Sequence, residues 1–273
     1  MMSVASIRLN LEPPVRYVLR LADTCLIHAQ RIGEWSGHGP VLEEDIAGTN
    51  LALDLIGQAR ALLTHAAALE GQGRPDPFSE DQLAFLRDEN QFLSLTLAEQ
   101  PSRRDSAHSP GGDFADLMLR NFLLATWLRL HWQALAASSS DPTLAAIAGK
   151  ALKESRYHQQ HAGDWVIRLG DGTAESKRRM QAAIERAWPY VPELFADDEV
   201  DAVARDAGLG PARSALREAW TAEVRAVFDE AGVIAPAESP HVTTGSRGVH
   251  SEHMGFILAE MQSLQRSFPG GRW

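Results

Sequence analysis

Lys153-Glu154-Ser155-Arg156-Tyr157-His158 decides how this chain is read. Helical bundles that ligate paired metal ions carry an inward Glu-x-x-His on each of two helices and a lone inward Glu on each of two others. Here Tyr157 stands three residues after Glu154, where the histidine belongs, and His158 follows one position late. The stretch therefore predicts a long bundle helix with a degenerate metal motif. The other helices decide whether a site survives.

Outward from that stretch, nearly everything between Pro14 and Phe268 reads helical. Strand-like alternation is missing, and Ala, Leu, Glu, Arg and Gln dominate. Helices are expected over 14–35, 43–70, 80–99, 113–137, 141–169, 174–195, 211–231 and 250–266. The first carries the stripe Val18, Leu21, Ala22, Cys25, Ala29 and Ile32 at helical spacing. Asp113 is expected to cap the fourth, and Asp141-Pro142 to open the fifth. The stretch 102–112, rich in Ser, Pro and Gly, reads as a polar loop. The four long helices at 14–35, 43–70, 113–137 and 141–169 bury one another best as a bundle. The expected fold is all-α: a single ferritin-like domain over 1–273, with its core bundle at about 14–170 and additional C-terminal helices at about 174–273.

Composition narrows the function. The chain has 273 residues, 44% of them hydrophobic, and a formal net charge of −10. That charge argues against a nucleic-acid partner, because phosphate binding uses clustered Lys and Arg. The single cysteine, Cys25, cannot form an internal disulfide and is expected to pack on the apolar stripe. No stretch reads as a signal peptide or as a membrane helix, so no membrane partner and a cytoplasmic location are expected.

A diiron site needs about four inward carboxylates and two histidines. On the first helix the acids are Asp23 and Glu34, both predicted to lie opposite the apolar stripe and away from the core. The second offers Asp54, with Gly57 where a histidine would stand, in a polar stripe of Asn50, Asp54, Gln58 and His65. The helix at 113–137 has no Asp or Glu after Asp116. The helix at 141–169 puts Glu154 at the edge of its apolar face and His158 near the centre. So few anionic donors cannot hold a hard metal pair, and no metal ligand or catalytic residue is expected in the chain. The degenerate positions Asp54, Glu154, Tyr157 and His158 read instead as structural: Glu154 and His158 paired at i, i+4, Asp54 bonded from a neighbouring helix, and Tyr157 packed with a bonded hydroxyl.

Three other features read as structural or as partner contacts. His250-Ser251-Glu252-His253 has two histidines at i, i+3 but no third ligand nearby. The run Thr243 to Gly248 is a polar loop whose N–H groups can cradle a carboxylate or phosphate. Gly57, Ala61, Thr64 and Ala68 form a small-residue run that serves either internal packing or a subunit contact. The expected partner surface is the second helix together with Arg247, His250, Glu252 and His253.

Several stretches together resemble the C-subunit family of the bacterial phenylacetyl-CoA ring epoxidases. They include Gln30-Arg31 with Glu34-Trp35, Gly37-His38, Leu53-Asp54-Leu55 with Gly57-Gln58-Ala59-Arg60, Arg87-Asp88-Glu89, and Glu99-Gln100-Pro101. Arg156-Tyr157-His158, Arg168-Leu169-Gly170, Glu252-His253, Leu258-Ala259-Glu260-Met261-Gln262 and Leu264-Gln265-Arg266 continue the match, in order, over about residues 15–273. The resemblance implies a ferritin-like fold without a metal site. It implies a structural subunit that pairs with a diiron catalytic subunit, as a heterodimer or a higher hetero-oligomer. It also implies a small bridging subunit and a reductase with FAD and an iron–sulfur cluster that draws on NADPH. The complex would insert one oxygen atom of O2 into the ring of phenylacetyl-CoA. Two alternatives stand beside it: an independent diiron oxidase using Asp54, Glu154 and His158, and a scaffold for a different acyl-CoA oxygenase.

Overall fold

The computed structural model describes residues 6–101, 113–269 and 271; the loop expected over 102–112 lies outside them. Ten α-helices follow one another: α1 Pro13–Gly33, α2 Leu42–Glu70, α3 Glu80–Phe85, α4 Thr96–Glu99, α5 Phe114–Ser138, α6 Pro142–Gly170, α7 Ala174–Ala187, α8 Glu199–Asp206, α9 Arg217–Ala231 and α10 Glu252–Ser267. Short 3-10 turns link them, and no strand is present among the described residues.

The four long helices form the expected bundle. α1 packs on α2, α5 packs on α6, and α2 meets α6 across the middle. The ends are set by local chemistry. Asp113 caps α5, accepting from the Ala115 N–H at 2.9 Å while Asp116 accepts from the Asp113 N–H at 2.8 Å. Asp141 caps α6 through the N–H groups of Thr143 and Leu144, and Pro142 opens its first turn without wasting a donor.

The C-terminal helices dress only one side of this bundle. α7 and α9 lie on α5 and α6, while α4, α8 and α10 lie on α1. α1 and α5 are thus buried nearly all round, whereas α2 and α6 keep one face in water. Trp127 and Trp220 tie the layers together, donating to the carbonyls of Leu194 and Leu123.

Burial of α1 on both sides corrects the expected place of its acids. Asp23 does face away from the bundle stripe, but into the second layer, where it is fully buried. Arg87 meets it with both terminal nitrogens, and the Leu93 N–H donates to it at 2.8 Å. Glu34 pairs with Arg31 at the end of the helix.

The segment expected as one helix over 80–99 is broken. α3 stops at Phe85, a turn covers Glu89–Gln91, and residues 92–95 run extended before α4. Side chains of α1 take over the backbone donors: Asp23 bonds the Leu93 N–H and Thr24 bonds the Leu95 N–H. The Arg87 guanidinium binds the carbonyls of Leu83 and Gln91. These bonds replace the helical ladder, and propensity yields to them. The helix expected over 174–195 tightens to a 3-10 turn from Trp188 onward, where Pro189 and Pro192 remove donors. That expected over 211–231 begins as a 3-10 turn at Arg213. α8 lay outside the sequence expectation. Its Asp198 cap is held by Arg20 of α1.

Candidate functional site

The residues singled out on α2 and α6 meet along one antiparallel seam. As α2 advances, its partners on α6 recede. Glu44 accepts from the His161 ring at 2.9 Å and from the Trp165 indole at 2.8 Å. Asp54 lies 3.1 Å from His158 Nε2. Gln58 donates to Glu154 at 3.0 Å. His65 Nε2 lies 2.7 Å from Asp141. The expected polar stripe on α2 is thus the inner edge of this seam for Asp54, Gln58 and His65, whereas Asn50 stays exposed.

His158 is 4% exposed and Asp54 bonds it from the neighbouring helix, as expected. Two expectations need correction. Glu154 and His158 do not pair with each other; each reaches across to α2, and Lys150 approaches Glu154 at 3.8 Å. Tyr157 is not a packed residue: it is 54% exposed on the outer edge of the seam, its ring 5.8 Å from the His161 ring. One residue further along the helix, His158 takes the inward direction that Tyr157 lacks.

Burial disfavours a charge on His158 more than the Asp54 carboxylate favours it, so its pKa lies below the ordinary histidine value. Burial, with Asp23 and Glu154 nearby, holds the Cys25 thiol protonated, so Cys25 packs rather than reacts. Among the described residues no three His, Cys, Asp or Glu side chains converge as metal ligands. Facing the same level from the other two helices are His28 of α1 and Asn121 of α5. Both escaped a search of the sequence for acids. A search for any polar residue on the buried face would have found Asn121, the one buried amide of α5.

The second cluster is internal. His250 bonds Glu99 through Nδ1 at 2.6 Å and the Phe92 carbonyl through Nε2 at 2.8 Å, with its ring fully buried. Ser251 adds N–H and hydroxyl bonds to Glu99. Glu252 is exposed and His253 half-buried at the start of α10, while Arg247 reaches Asp198 at 3.2 Å. The loop over 243–248 does cradle a carboxylate, that of Glu193 in the same chain. The Ser246 N–H donates to it at 2.8 Å and the Thr243 hydroxyl at 2.7 Å. Gly245 lets the loop close, since a Cβ there would stand 2.5 Å from the Ser94 carbonyl.

The outer side of the seam has a different character. Leu42, Ile46, Leu53 and Ile56 recur at helical spacing along the exposed face of α2, with Leu53 at 59% exposure. On α6, Tyr157 is exposed as well. Gly57, Thr64 and Ala68 of the small-residue run are exposed and Ala61 is half-buried, so the run serves the surface rather than the bundle.

Comparison with known proteins agrees with this architecture. The family model described as "Phenylacetic acid catabolic protein" matches residues 5–273. The C-subunit of the 1,2-phenylacetyl-CoA epoxidase of Escherichia coli (strain K12) is 46% identical over 257 residues, covering 94% of this chain and 98% of that protein. The chain therefore belongs to the phenylacetic acid catabolic protein family, whose ferritin-like helical fold it carries.

Proposed function

We propose that this chain is the non-catalytic structural subunit of a phenylacetyl-CoA epoxidase, docking a diiron subunit through the bare α2–α6 face. The observation that carries this reading is the one-sided dressing of the bundle. Helices cover the α1 and α5 sides, while a row of large aliphatic side chains on α2, and Tyr157 on α6, are left in water. An apolar face of this kind, rimmed by polar residues, marks a protein contact. Exposed charged residues of both signs lie on the same two helices, among them Glu43 and Arg60 on α2 and Lys153 and Arg156 on α6, the polar surroundings such a contact has. Arg247, Glu252 and His253 on the C-terminal layer form a second candidate contact; His250 is buried behind them.

The side chains at the middle of the bundle do not fit a diiron centre. α5 supplies Asn121 and no carboxylate there, and Asp54 and Glu154 are engaged with His158 and Gln58. In this reading the chemistry lies in the partners. A diiron subunit inserts oxygen into the ring, a small bridging subunit links the pairs, and a reductase with FAD and an iron–sulfur cluster delivers electrons from NADPH. Its place is the cytoplasm; among the described residues no helix is long and apolar enough to cross a membrane.

Co-expression with the diiron subunit of a phenylacetyl-CoA epoxidase, followed by size-exclusion chromatography, tests this. Co-elution at a fixed ratio supports the reading. Separate elution of two folded proteins overturns it.

A further inference from the structure

Between α1, α2, α5 and α6, at the level of His158, the packing leaves a cavity with about 10 Å³ of room for the centre of a water molecule. That is the space one water needs. Most of its wall is aliphatic, including Leu55 and Leu128, but His28, Asn121 and His158 also line it. His28 and Asn121 are both about 2% exposed. Within the chain, His28 Nδ1 and both polar atoms of the Asn121 amide lack a hydrogen-bond partner. Buried polar groups are rarely left so, and an amide in an aliphatic wall is tolerated when an ordered water answers it.

We propose that this cavity is a binding site for a single structural water, held between His28 Nδ1 on α1 and the Asn121 amide on α5. A water both donates and accepts. It therefore satisfies Nδ1 in either tautomer of the ring and one end of the amide at the same time. An ion is a poorer occupant. Burial, with Arg120 and His158 nearby, keeps His28 neutral. The carboxylates at this level, Asp54 and Glu154, are bonded into the α2–α6 seam. The water thus occupies the bundle centre and joins α1 to α5 across it. This site stands whether or not the chain docks a diiron subunit.

Oxygen-17 magnetic relaxation dispersion counts long-lived internal waters and tests the site on the full chain. Asn121→Leu should lose one such water relative to the wild type, while Gln160→Leu, on the exposed face of α6, should keep the wild-type count. An unchanged count in Asn121→Leu overturns the proposal. Should that variant fail to fold by circular dichroism, a high-resolution crystal structure of the wild type decides. A density peak within hydrogen-bond distance of His28 Nδ1 and the Asn121 amide is expected. Its absence, or a peak with anomalous scattering from a metal, overturns the proposal.

Discussion

Asp23 of α1 and Arg87, just beyond α3, form a two-pronged ion pair in which neither side chain touches water. The Leu93 N–H and the carbonyls of Leu83 and Gln91 complete the shell around it, and the Arg87 guanidinium lies 4.1 Å above the Phe92 ring. The pair holds the broken segment after α3 against the bundle. Removing one partner strands the other charge in the interior, at a cost of about 3–5 kcal/mol. Asp23→Ala and Arg87→Ala should each lower unfolding stability by that order in urea titrations. The double variant should lose much less than the sum of the two, since no lone charge remains. Additive losses would mean that the pair is not coupled.

His250 gives the chain a pH dependence of definite sign. Burial opposes charging its ring, but the bond to Glu99 and that carboxylate's charge, with the Phe92 carbonyl, outweigh burial and raise the pKa above the ordinary value. Both ring nitrogens face acceptors, as an imidazolium requires. A raised folded-state pKa contributes stability that is fully present below the unfolded value, about 6.5, and is lost as pH climbs through the folded value. Stability measured by urea titration should therefore fall over this window in the wild type. In His250→Gln the fall should flatten. A fall of equal size in the variant would assign it to another group.

Glu154 separates a structural seam from a metal ligand. Glu154→Gln keeps a side chain able to bond Gln58, so stability should change by no more than about 1 kcal/mol. Turnover of the assembled epoxidase should stay within about twofold of the wild type, or ~0.4 kcal/mol in barrier. A loss of several orders of magnitude in turnover with assembly intact would show Glu154 at work in the chemistry.

The outer face of α2 should govern assembly without governing folding. Leu53→Arg with Ile56→Arg alters exposed positions, so unfolding stability should shift by less than about 0.5 kcal/mol per site. Affinity for the diiron subunit, measured by calorimetry, should fall at least tenfold, about 1.4 kcal/mol. Arg247→Glu with Glu252→Arg probes the second candidate surface in the same assay. If the α2 pair leaves affinity intact and the Arg247/Glu252 pair abolishes it, the docking face lies on the C-terminal layer instead.

The bundle was legible because its helices announce themselves locally. Apolar spacing on α1, the Asp113 and Asp141 caps, and the turns between helices each place an element without reference to the others. What escaped depends on contacts distant in sequence. Asp23 reads as a solvent-facing acid until the segment after α3, with Arg87 and Leu93, covers that side of α1. Residues 80–99 have the composition of one helix until Asp23 and Thr24 claim the backbone donors of Leu93 and Leu95. The i, i+4 spacing of Glu154 and His158 allowed a direct pair, but α2 offers each a partner across the seam. Polar residues on α2 were visible as a stripe; which helix they met was not. His28 and Asn121 passed unnoticed because their significance lies in what they lack, which only the packed interior reveals.

The most direct test of a metal-free structural role is iron content, taken on the purified chain alone and on its complex with the diiron subunit after identical exposure to Fe(II). No stoichiometric iron is expected in the isolated chain, and a full diiron complement, carried by the partner, is expected in the complex. A diiron complement bound by the isolated chain, and lost in Glu154→Ala or His158→Ala, would contradict that role.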